Sequence, residues 1–195
     1  GRVSSLPSMS EPSLDRYVWL WRPDALEPVL CGHLRWDGQA AAFAYVRSYR
    51  ERADAMSLQP DWPVTTALGD RLYPPEDDAL PGVIADVAPG RWAEYVLEHA
   101  AGRALNPMER LIHGFGDRTG ALEFTETATS APAQEPPFVA LDEVAQAVEA
   151  IERGRPVDPK IALLFRHGAS LGGRRPKATV EHQGRLWIAK FVSVK

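Results

Sequence analysis

A chain of 195 residues, 45% hydrophobic and 25% charged, has globular composition and is long enough for one medium domain, or one domain plus part of another, around a real core. Its formal charge of -4 offers no overall pull toward nucleic acid or anionic lipid, and its single cysteine, Cys31, excludes an intramolecular disulfide and undercuts a cysteine-based zinc site. No segment approaches ~20 uninterrupted apolar residues and Gly1 to Pro12 has no apolar run of signal-peptide length, so neither export nor a membrane span is expected and a reducing cytoplasm fits best.

Residues 1–16 read as a flexible start. Tyr17 to Trp21 (YVWLW) and Pro28 to Trp36 (PVLCGHLRW) predict two strands joined by a Pro-Asp turn. After the Asp37-Gly38 turn, Ala40 to Val46 adds a third strand, and the charged stretch Arg47 to Asp54 predicts a helical turn. Pro60, Pro63, Pro74, Pro75 and Pro81, with Pro89 just beyond, remove donors and fix φ, which predicts ordered loop or edge structure. Helices are expected over Arg91 to Ala101, with Trp92, Tyr95, Val96 and His99 on one face, and over Pro107 to Phe115, which starts on proline. Gly120 to Thr125 alternates like a strand. Residues 127–137 are poor in bulky apolar side chains and read as a linker between a unit at 17–126 and a second at 138–195. In the second unit, Leu141 to Arg153 spaces Leu141, Val144, Ala145, Val148 and Ile151 as a helix does, and a shorter helix is expected over Pro159 to Arg166.

Ser170 to Ala178 reads SLGGRRPKA, followed by Thr179 to Glu181, a His182-Gln183-Gly184 turn and the apolar strand Leu186 to Phe191 that contains Lys190. Amides flanked by Gly172 and Gly173 can approach a polyphosphate closely, with a hydroxyl from Ser170 and positive charge from Arg174 or Lys177. Taken singly, a diglycine is an ordinary turn and a strand lysine an ordinary solvent-facing cation. A glycine loop followed by a strand lysine is the order in which a kinase small lobe grips its nucleotide.

Four segments in order resemble the HipA family of serine/threonine kinases, the toxin halves of bacterial toxin-antitoxin pairs. They are residues 31–49 (a Gly-x-Leu strand, an acidic turn and a Phe-x-Tyr strand), residues 80–97 (LPGVIADVAPGRWAEYVL), residues 114–124 (GFGDRTGALEF), and SLGGRRPKATV through LWIAKF. The resemblance implies an α+β fold: a small antiparallel sheet with packed helices, followed by the first strands of a protein-kinase-like small lobe. It implies an ATP site built from Ser170, Leu171, Gly172, Gly173, Arg174, Arg175, Lys177 and Lys190, with magnesium, and autophosphorylation of Ser170 as an inhibitory switch. It further implies a HipB-like helix-turn-helix antitoxin as partner, through which alone DNA would be reached. The helix glutamate, catalytic aspartate and magnesium-binding aspartate of such a kinase have no positions before Lys195. The chain by itself is therefore expected to be catalytically inactive, the front part of a kinase completed by a large lobe. The rival reading is a non-catalytic, antitoxin-type module that binds a separate kinase core.

The remaining tempting residues favour structural roles. Five histidines (His33, His99, His113, His167, His182) lack metal-ligand spacing. Asp86 and Asp117 sit in small-residue turns where carboxylates cap amides, and the six tryptophans, Trp19 and Trp21 among them, are expected in core or interface.

Overall fold

The structure, a computed structural model, describes residues 13–76, 78–114, 120–132, 141–155 and 177–191. Three strands, β1 (Arg16–Leu20), β2 (Val29–Trp36) and β3 (Ala41–Tyr45), form the expected meander. A fourth, β4 (Leu122–Thr125), returns antiparallel beside β1, so the sheet order is β3-β2-β1-β4. Alternation sends Val18, Leu20, Leu34, Phe43, Tyr45, Leu122 and Phe124 into one core, all at most 6% exposed. Trp19 lies on the opposite face, where its indole Nε1 donates to Thr125 Oγ1 at 2.7 Å. The register slips between Val18 and Trp19, which leaves Cys31 as an extra residue of β2, and its carbonyl accepts from Val46 N.

The proline-rich stretch and the residues leading into it are tethered by Tyr45 and Tyr49 from the sheet side and by Tyr73 from within. Tyr45 Oη accepts from Leu58 N and donates to Trp62 O, Tyr49 Oη pairs with both backbone groups of Met56, and Tyr73 Oη donates to Pro63 O. Their rings complete an aromatic cluster in which Phe43 stacks on Trp62 at 5.1 Å and meets Tyr45 edge-on at 4.9 Å. Tyr73 also pairs with Phe43 as an isolated bridge beyond the β3 edge. The charged stretch forms one turn, α1 (Arg47–Arg50), and a 3₁₀ turn spans Thr66–Leu68. A helix not anticipated from sequence, α2 (Gly82–Asp86), is five residues long and has no periodic stripe to read. It is held by burial of Ile84 and by Gln59 Oε1, which accepts from Val83 N at 3.1 Å.

Next come α3 (Arg91–Ala101) and α4 (Pro107–His113), close to their expected bounds. Asn106 and Glu109 close a reciprocal capping box at the start of α4, and Arg103 adds an ion pair to Glu109 at 2.7 Å. These hydrogen bonds, Arg103 first, hold the Glu109 carboxyl down at about 2, below its ordinary 4.5. Because the folded value is depressed, the stabilisation is complete above pH 4.5 and disappears as pH falls toward 2. Amide protection across residues 106–114, taken relative to the intrinsic exchange rate at each pH, is therefore expected to fall over that window. Glu109→Gln should flatten the dependence, and an unchanged profile in that variant would refute the assignment.

The helix predicted after the linker is α5 (Leu141–Glu152), but its buried stripe is Ala147, Val148 and Ile151. Leu141 is 46% exposed and Ala145 is also exposed, which corrects the expected stripe at its N-terminal end. The last described element is a hairpin of β5 (Lys177–His182) and β6 (Arg185–Lys190). The helix expected over Pro159 to Arg166, and Phe115 and Asp117, lie outside the described residues. Among the described residues no helix is long and apolar enough to cross a membrane.

Candidate functional site

The β5-β6 hairpin turns through Gln183 and Gly184, both at positive φ (54° and 72°), a two-residue connection of the primed type whose twist matches the strands. Glycine at 184 accepts that conformation without strain. The register pairs Val180 with Trp187, Ala178 with Ala189 and Lys177 with Lys190. Val180 (3% exposed), Ala189 and Phe191 pack on a second core made with Trp92, Ala93 and Val96 of α3 and Ala147, Val148 and Ile151 of α5. Strand alternation therefore sets Ile188 (58% exposed) and Lys190 on the other, open face.

Lys190 is the last residue of β6, exposed, and makes no ion pair among the described residues. Its register partner Lys177 opens β5, directly after the glycine-rich segment. Two cationic residues thus occupy one end of the hairpin, and like charges on directly opposed strand positions are mildly destabilising until something anionic lies between them. Ser170, Leu171, Gly172, Gly173, Arg174 and Arg175 lie outside the described residues.

Two residues placed on one helix face by sequence have a role that spacing alone does not show. Tyr95 Oη donates to Ile151 O at 3.2 Å, a carbonyl that also accepts from Gly154 N, and His99 Nε2 lies 3.0 Å from Arg155 O, so α3 is tied to the last turn of α5 and the residues just after it. Their four-residue spacing was the one legible signal.

Burial pushes the Cys31 thiol far above its usual range, which makes it unreactive. His33 is pulled down by burial, which outweighs the nearby Asp15 carboxylate. Its ring lies 4.9 Å from that of Tyr17, tilted by 35°, and accepts at Nδ1 from Arg35 Nε. Asp86 is exposed at the end of α2 beside an apolar hollow of about 450 Å³ lined by Leu20, Met56, Leu58, Val83 and Val87. Among the described residues no group of three His, Cys, Asp or Glu side chains has metal-holding geometry.

Comparison with family models matches residues 18–125, more than half of the chain, to the family described as the HipA N-terminal domain. The matched span runs from β1 to the end of β4 and so contains the four-stranded sheet together with α1 to α4. No curated protein and no solved structure matches the chain.

Proposed function

The chain belongs to the HipA family through its N-terminal domain, and on that footing we propose that it is the amino-terminal portion of a HipA-like serine/threonine protein kinase toxin. Residues 17–126 form the family domain, 127–137 the linker, and 138–195 the start of the kinase small lobe. Ser170, Leu171, Gly172, Gly173, Arg174, Arg175 and Lys177 line the ATP phosphates, with magnesium held by the rest of the kinase, and Lys190 reaches the phosphates from β6. Phosphorylation of Ser170 would place roughly two negative charges where those oxygens bind and so silence the site. The protein substrate is met by the large lobe, and a HipB-like helix-turn-helix antitoxin is the expected partner in the cytoplasm, with no membrane and no direct nucleic-acid contact.

The observation that supports this best is the register at one end of the hairpin: Lys190, exposed and without an ion pair among the described residues, lies opposite Lys177, which follows the glycine-rich segment in sequence. An anion there converts a like-charge penalty into charge-assisted hydrogen bonds. Titrating the full-length parent protein with ATP and magnesium tests it. Binding is expected to weaken about tenfold or more in Ser170→Asp, following from one added like charge in a phosphate site. Equal binding by the variant would remove Ser170 from the loop, and no binding by the unaltered parent would remove the nucleotide site.

A second reading starts from the same family match at residues 18–125. In that reading the chain is a non-catalytic, antitoxin-type module bound to a separate kinase core. A reading frame that continues past Lys195 into kinase sequence favours the first reading; a stop codon followed by a separate kinase gene favours the second.

A further inference from the structure

Helix α3 lies inside the matched family domain by sequence, yet no α3 side chain belongs to the core on the four-stranded sheet. Of its four buried side chains, Trp92, Ala93 and Val96 are shared with α5 and the hairpin, and Leu97 belongs to neither cluster. Its exposed flank adds two hydrogen bonds to the last turn of α5 and the residues after it, from Tyr95 to Ile151 O and between His99 and Arg155 O. Toward the sheet domain α3 has polar ties: the Glu94–Arg110 ion pair at 3.1 Å and the bond from Leu105 N to Glu98 Oε1 at 3.2 Å. Glycines bracket it, Gly90 as the N-cap and Gly102, left-handed, as the C-cap.

Apolar burial couples elements tightly, whereas a partly exposed ion pair contributes about 0–1 kcal/mol and is screened by salt. We infer that α3 moves with α5 and the β5-β6 hairpin, as one cooperative unit, and is the joint through which the sheet domain sets the position of the Lys190 strand. Tyr95 and His99 are positioning residues within that unit. The inference goes beyond the nucleotide reading, because it concerns which elements open together and holds whether or not ATP binds.

Hydrogen exchange on the full chain tests it with Tyr95→Phe combined with His99→Ala. Loss of two hydrogen bonds is expected to lower amide protection roughly tenfold or more, together, across residues 91–101, 141–155 and 177–191. Residues 16–45 and 122–125 should hold their protection within about twofold, since the lost bonds are outside their unit. Unchanged protection at 177–191, or a parallel loss in the sheet strands, overturns the inference. Should the double variant not fold, the unaltered protein in rising denaturant answers the same question. Amides of α3 that open with α5 and the hairpin support the joint. Amides of α3 that open with β1 to β4, or one opening shared by every segment, overturn it.

Discussion

Lys190→Ala in the full-length parent protein is expected to reduce phosphoryl transfer on the order of a hundredfold or more, the cost typical of deleting one preorganised charged donor at a reacting phosphate. Lys190 is exposed, lies on the face of β6 away from Ala189 and Phe191, and makes no ion pair among the described residues. Nothing in the described fold leans on its ammonium, so the substitution should leave stability within about 0.5 kcal/mol. The combination is diagnostic: activity falls while the thermal midpoint stays. Lys190→Arg should recover only part of the loss, because a planar fork cannot reproduce a point charge in a fixed pocket. Undiminished transfer in Lys190→Ala would remove the hairpin from the nucleotide site; lost activity with a lowered midpoint would mark Lys190 as structural.

Gly32→Ala is expected to cost the sheet about 3 kcal/mol, at the upper end for overpacking in a filled core. A Cβ at position 32 would lie 2.1 Å from Phe43 Cε2, 2.3 Å from Phe43 Cζ and 2.9 Å from Ala44 O. The far end of a flexible side chain would yield, but the Phe43 ring is fully buried between Trp62 and Tyr45. Relief therefore requires breaking the aromatic stack or parting β2 from β3. Chemical denaturation should show a lowered midpoint with an unchanged slope. Phe43→Leu in the Gly32→Ala background should return part of the loss, a coupling between neighbours that a double-mutant cycle measures. An unaltered midpoint in Gly32→Ala would mean that the strands separate freely at this crossing.

Residue order alone was enough for elements whose stabilising signal is local. Residues 17–21 and 28–36 are aromatic and apolar runs, Gly38 and Gly184 suit the positive φ of their turns, and α4 begins on proline. Helix α2 escaped because its five residues form one turn, and its stability comes from Gln59 and the core, far away in sequence. The expected stripe of α5 is buried at Val148 and Ile151 but not at Leu141 and Ala145, for a related reason. Apolar periodicity identifies a helix, but the neighbour that touches it selects the face, and here α3 and the hairpin take Ala147, Val148 and Ile151.

The same division runs through the candidate site. Composition and local pattern by themselves determined a globular α+β chain with a glycine-rich segment leading into a lysine-bearing strand, because turn chemistry, alternation and motif order are written in neighbouring residues. Only tertiary structure decided that β4 returns beside β1, that Lys177 and Lys190 share a register while Lys190 takes the open face, and that α3 joins the hairpin's core. Those outcomes rest on long-range burial, in which apolar surfaces distant along the chain find one another, and no local spacing encodes which surface meets which.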